Sequence, residues 1–315
     1  MEIMVNPNLK LERSLAISKS DLKAFKLLVI PFLCLCMMIL TLNSNLYILG
    51  QIFGAIFFTQ SFILLHELGH RSFFKSNSLN SLFGHFFSLM VFIPYHNWLE
   101  IHELHHKWTG WRDKDPTTEK TFADRFDSKQ ERIINFCWKY SIPLFTVGYR
   151  LGIYWKAEKL KRHLPHANYK RCLLEMFLYG SFYIVTLILF PRFYALIFPA
   201  LYMSFMATDI LSLSQHSHIE MPVSSSGETV EPLTFKEQVQ YSRSLLFPTW
   251  FAKYFLFNFN YHEYHHAYPG LPCYNLDKIS GDTKNCYQFI PWLLRVKNMS
   301  GVDFILKSSR DRDGF

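Results

Sequence analysis

Charge is scarce in this chain. Only 18% of its 315 residues are Asp, Glu, Lys or Arg, while half are hydrophobic and 31 are Phe. That is apolar and aromatic for a soluble domain. No internal repeat, low-complexity tract or Pro/Gly/Ser linker separates one part from another, which excludes solenoids and linker-joined modules. One domain spanning residues 1–315 is expected, with an arm over 1–26 and a tail over about 277–315. Cysteine is sparse, and the six residues (Cys34, Cys36, Cys137, Cys172, Cys273, Cys286) show no metal-type pairing. Reduced, structural thiols are expected. The arm before the first apolar run is long and polar, and no small-residue cleavage site follows that run, so no cleavable signal peptide is expected there.

Charge is missing altogether from Leu27 to Leu42 and from Leu46 to Leu65, with only Asn43, Ser44 and Asn45 between the two runs. Each is about the length a helix needs to cross the hydrocarbon core, and the short gap predicts a hairpin. A second pair runs from Cys172 to Phe190 and from Tyr194 to Ser214, and its only acids are Glu175 and Asp209. Four spans in two hairpins is the expected all-α membrane architecture. The competing reading is a set of buried helices in a soluble protein. Two shorter apolar stretches, Leu82 to Pro94 and Leu245 to Phe259, fall short of a span and are expected to be interfacial or re-entrant helices beneath a cytoplasmic helical cap.

Basic residues are unevenly placed. The arm carries Lys10, Arg13, Lys19, Lys23 and Lys26, the long middle segment carries many more, and the two short connections carry only Arg192. The positive-inside bias then puts both termini and the middle segment in the cytoplasm. The net charge of +8 points to anionic headgroups or an acidic partner rather than to nucleic acid.

Histidine is what the chain has in excess: fourteen in all. Eight fall in three boxes: His66-Glu67-Leu68-Gly69-His70, His102-Glu103-Leu104-His105-His106 and His262-Glu263-Tyr264-His265-His266. Residues three and four apart share a helix face, so each box aims two or three imidazoles at one place. Imidazole suits zinc, iron, copper and nickel, and eight ligands exceed what one tetrahedral zinc uses. Each box also fits the His-Glu-x-x-His pattern of zinc metallopeptidases, which makes a membrane-embedded peptidase the rival from another class. That rival leaves the doubled histidines at 105/106 and 265/266 unexplained. A metal-storage or sensor protein is a third class, but it has no need of an embedded scaffold.

The segments HELGHRSFF with LNSLFG (66–74, 79–84), HELHHKWTG with DP (102–110, 115–116) and NYHEYHHAYPGLPCYNL (260–276) resemble the membrane fatty acid desaturase family. That family also includes related hydroxylases and carotenoid ketolases. The resemblance implies a non-haem centre of two iron ions that activates O2 and removes hydrogen from an unactivated C–H bond of a fatty acyl chain. It implies as ligands His66, His70, His102, His105, His106, His262, His265 and His266. A ninth is expected at the end of the fourth span, where His216 is preferred to His218 because Gln-His followed by Glu four residues later looks like the corresponding segment of several desaturases. Some relatives place an Asn four residues before this histidine. Here that position is Ser212, a departure from the pattern. Glu67, Glu103, Glu263, Asn260 and His218 are candidates for orienting the ligands from behind. The resemblance further implies a separate electron donor, a cytochrome of the b5 type or a ferredoxin with its reductase, because the His-Pro-Gly-Gly mark of a fused haem domain is absent. Desaturation is the expected reaction, and hydroxylation or ketolation of a lipid or carotenoid is its alternative.

Overall fold

A computed structural model describes residues 19–225, 228–279 and 285–307. The expected arm before residue 19 and the end of the expected tail lie outside the described residues.

Four long helices dominate: α1 (Asp21–Leu42), α2 (Tyr47–Gly69), and two further along the chain, over His166–Leu189 and Pro191–His216. All four are long and apolar enough to cross a bilayer. Their starts are written locally. Ser20 caps α1 through its hydroxyl, which accepts the Lys23 N–H, and Asp21 sits in the first turn, where a negative charge meets the helix dipole. Between the two pairs run α3 (Asn77–Met90), α4 (Tyr95–Trp108), α5 (Ser128–Lys139), α6 (Leu144–Tyr149), a π-helical turn (Arg150–Tyr154) and α7 (Ala157–His163). The helix over His166–Leu189 is α8 and that over Pro191–His216 is α9. After them come α10 (Phe235–Gln238), β1 (Ser244–Leu246), α11 (Thr249–Tyr254), α12 (His262–Ala267), β2 (Cys286–Gln288), α13 (Phe289–Lys297) and α14 (Gly301–Leu306).

The chain is mostly helical, as expected, with one departure from all-α. Strands β1 and β2 pair in parallel, Ser244 opposite Cys286, and carry the segment from Leu245 past the third box. Leu245 to Phe259 is therefore a strand, a short helix and turns rather than one interfacial or re-entrant helix. Leu82 to Pro94 falls largely in α3, whose Phe83, Phe86 and Phe87 pack on Phe32 of α1.

Packing decides between bilayer and soluble core. Helix α2 is the central helix: a Cβ on Gly54 would lie 2.7 Å from Ala200 of α9 and 2.8 Å from the Met38 sulfur of α1. Only glycine lets the three backbones come so close. Helix α8 behaves differently. Phe177 is 69% exposed and Ile188 72% exposed, and Leu174, Leu178, Ile184, Leu187 and Leu189 join them. An apolar helix this bare is not a buried core element. Its exposed surface is what hydrocarbon solvates and water does not.

Candidate metal centre

Three helices end at one place. The first box occupies the last turn of α2, the second the last two turns of α4, and His216 is the final residue of α9, while the third box forms the short α12. Helix C-termini carry the negative end of the macrodipole, so their convergence favours a bound cation.

The nine box and α9 histidines form two groups. His66, His70, His102, His106 and His265 present one nitrogen each within 4.8 Å of one another, and His105, His216, His262 and His266 do the same. Helix spacing explains the split. In α4 the i,i+4 pair His102/His106 serves the first group and His105 the second, whereas in α12 the pair His262/His266 serves the second group and His265 the first.

Hydrogen bonds fix which nitrogen faces inward. His216 Nδ1–H donates to the Tyr241 carbonyl at 2.8 Å, and His266 Nδ1–H donates to Gln238 Oε1 at 3.1 Å. The Gln238 amide cannot be turned round, because its nitrogen donates to the carbonyls of His106 and Leu233. His105 Nδ1–H likewise donates to Asp115 at 2.7 Å, and Glu67 lies 3.0 Å from His66 Nδ1. The inward Nε2 atoms are then bare lone pairs, yet those of His216 and His266 lie 3.2 Å apart. No proton is available between them. Burial, followed by the neighbouring imidazoles, holds His262, His265 and His266 well below the usual histidine range, so protonation does not relieve the clash. Converging neutral lone pairs fit a cation, and an all-nitrogen set fits a first-row transition metal. Five donors in one group and four in the other fit a pair of ions.

Other predicted residues fall at varied distances from this arrangement. Asp115 works behind His105: burial opposes its charge, but His105 and the Thr117 N–H and hydroxyl outweigh that and hold its carboxyl below the usual range. Glu103 is exposed. Glu263 is fully buried and accepts the Asn285 N–H. The Asn260 amide donates to the Leu245 carbonyl, pinning β1 to the turn before α12. His218 belongs to neither group and donates to the carbonyls of Asp303 and Lys307. A third cluster, His85, His96 and Glu175, is a polar lock joining α3, α4 and α8. His96 spends one nitrogen on Glu175 and the other on Arg171, which leaves no lone pair for a metal.

Sequence reading did not single out the stretch from Gln238 to Ser244. Besides Gln238 and Tyr241, it holds Arg243, which donates to the carbonyls of Ser214 and Ser217. That satisfies the open end of α9 and fixes His216. No motif marks these residues, and the contact to His216 uses the Tyr241 backbone carbonyl, which any side chain could have carried.

The glycine of the first box has a steric reason. A Cβ on Gly69 would lie 2.1 Å from the Trp98 ring, and that ring stacks on His102 at 4.2 Å. Gly69→Ala is expected to push Trp98 onto His102, costing about 1–3 kcal/mol of stability through overpacking and lowering metal retention. Metal content and thermal unfolding of the purified variant check this, and unchanged values in both would refute it.

Beside the histidines lies a cavity of about 120 Å³, walled by Phe62, Trp98, Phe145, Tyr149 and Phe259 and reached by His66, His102, His105, His216 and His262. A separate surface groove touches His70, His102 and His106 from the other side.

Four apolar helices, two of which (α2 and α9) end on a cluster of nine histidines able to hold metal beside an aromatic cavity, define a class of membrane protein. The fatty acid desaturase family model matches residues 44–294, and the chain belongs to that family. It is 26% identical over 241 residues to an sn-1 oleoyl-lipid 12-desaturase of Anabaena variabilis, covering 72% of this chain and 66% of that protein. An sn-1 oleoyl-lipid 12-desaturase of Picosynechococcus sp. is 26% identical over 242 residues, covering 72% and 65%. An sn-1 acyl-lipid omega-3 desaturase (ferredoxin) of Nostoc sp. is 38% identical over 101 residues, covering 30% and 27%. The chain thus spans just under two thirds of the length of the first two relatives.

Proposed function

We propose that this chain is an oxygen-dependent di-iron desaturase that introduces a double bond into a fatty acyl chain. The observation that carries the reading is the pair of all-nitrogen groups, with bare Nε2 atoms facing one another next to an apolar-walled cavity. Loss of two hydrogens from adjacent carbons and reduction of O2 to two waters balances with two electrons and two protons from a donor. Iron at these ligands supplies the redox chemistry that zinc lacks. The nine proposed ligands are His66, His70, His102, His105, His106, His216, His262, His265 and His266. Around them the chain does the rest: Glu67, Asp115, Gln238 and the Tyr241 carbonyl orient imidazoles, and Phe62 and Phe259 hold the acyl chain and exclude water.

The reductant is a separate one-electron carrier, a ferredoxin or a cytochrome of the b5 type. The surface groove at His70, His102 and His106 is where we place its approach. Lipid profiling of cells expressing the chain or its His265→Ala variant tests the function. A new unsaturated acyl species is expected only with the unaltered chain. Hydroxylated or ketonic products instead would establish the alternative reaction.

We further propose one membrane domain with two helical hairpins, α1/α2 and α8/α9, whose tips face away from a cytoplasmic cap holding the site. Helix α2 rises about 35 Å along its length, enough to put residues 43–46 and the site on opposite faces of a bilayer about 30 Å thick. Cysteines introduced at Asn45 and at exposed Lys107 should label from opposite sides of sealed vesicles. Labelling from the same side would reverse this topology.

A further inference from the structure

Arg150 opens the π-helical turn, a backbone irregularity that recurs at functional positions. Its side chain is buried, with 6% of its surface exposed. Nε donates to the Val91 carbonyl at 2.8 Å and Nη1 donates to the Thr146 carbonyl at 3.1 Å. The guanidinium lies 4.4 Å from the Phe205 ring and 5.8 Å from the Phe62 ring. Burial lowers its pKa to about 10, with Tyr154 and Asp209 opposing the fall, so it stays charged at neutral pH. Among the described residues no hydrogen bond joins Asp209 to it directly, and the Asp209 carboxylate instead accepts the Thr146 N–H.

These contacts leave one edge open. Among the described residues Nη2 has no hydrogen-bond partner, yet it is not sealed off. Arg150 lines the same cavity as His66, His105, His216 and His262. Phe62 precedes His66 by one turn of α2, and Phe205 lies about three turns before His216 in α9, which puts the guanidinium on the bilayer side of the histidines. Gln215, 8% exposed and adjacent to His216, lines the cavity too, and its amide has no partner among the described residues.

A plain run of methylenes answers neither group. Closing such a chain over a charged N–H removes water and returns no acceptor, a loss larger than one ordinary hydrogen bond. A site built to bond an oxygen also rejects the analogue that lacks it.

We propose that Arg150 is a specificity residue that reads an oxygen atom on the substrate. The cavity takes a lipid chain carrying a hydroxyl, carbonyl or carboxylate oxygen on the bilayer side of the carbon presented to the metal site. The inference rests on the proposed reading of the cavity as the substrate site.

Binding to the purified, iron-loaded full chain tests it, with hexadecane, hexadecan-1-ol and hexadecanoate as probes. Hexadecan-1-ol and hexadecanoate should bind at least about tenfold more tightly than hexadecane, and Arg150→Met should reduce that preference to under about threefold. A preference for only one of the two oxygenated probes tells a neutral oxygen from an anionic one. Equal binding of all three by the unaltered chain overturns the proposal, and this arm does not depend on any variant folding. A preference lost in Lys307→Ala but kept in Arg150→Met overturns it as well, since it puts recognition elsewhere on the cavity wall. If Arg150→Met does not retain iron, Arg150→Leu replaces it, and an unchanged preference there counts against the proposal. Binding is read without turnover. A chain that forms no double bond but keeps the preference leaves this inference standing, and a desaturating chain without the preference removes only this inference.

Discussion

His216→Ala is expected to abolish turnover and lower the iron content toward one ion per chain, whereas His218→Ala should keep at least partial function. The two histidines are separated by one residue, and they do different things. His216 is locked by the Tyr241 carbonyl and presents Nε2 within 2.8 Å of the His262 Nε2. Its loss leaves three imidazoles in a group of four. His218 sits past the end of α9 with a left-handed backbone, φ 57°, and ties the loop to α14 through the carbonyls of Asp303 and Lys307. Removing it costs a loop contact and no member of either group. Parallel assays of iron content and product formation check this, and the reverse ranking of the two variants would show the wrong histidine was chosen.

Gln238→Leu is expected to weaken metal binding by about 10–100-fold and to destabilise the fold by about 1–3 kcal/mol through the unpaired groups it leaves. Gln238 is fully buried and joins α4 to the third box, donating to the His106 carbonyl and accepting from His266. Without it the His266 ring is free to turn and to exchange its tautomer. Glu103→Gln is the control: the side chain is exposed, so no change is expected even though it belongs to a box. Competition with a chelator measures both, and equal loss in the two variants would refute the assignment.

Much of this site was legible in the sequence. The three boxes declare themselves because histidines recur in them at helix spacing, and the four apolar helices because they form long runs almost without charge. The way the nine histidines divide was not legible. His105 and His106 are neighbours in sequence yet join different groups, because successive residues of α4 point about 100° apart and meet imidazoles brought by distant elements. Of the orienting residues, Glu67 was named from the sequence, while Gln238 and Tyr241 were hidden. The sequence drew attention to Asn260, which holds β1, and passed over Gln238, because a buried glutamine among polar neighbours reads as an ordinary surface residue. The parallel strand pair was missed for a similar reason: three residues per strand is too short for a periodic pattern.

The central claim is that these histidines hold two redox metals, and the direct measurement is metal content. Full-length protein purified from cells supplied with iron, in detergent or lipid nanodiscs, should contain close to two irons per chain by elemental mass spectrometry, and its product formation should require O2 and a reductant. One zinc per chain with peptide-cleaving activity, needing neither O2 nor reductant, would contradict it.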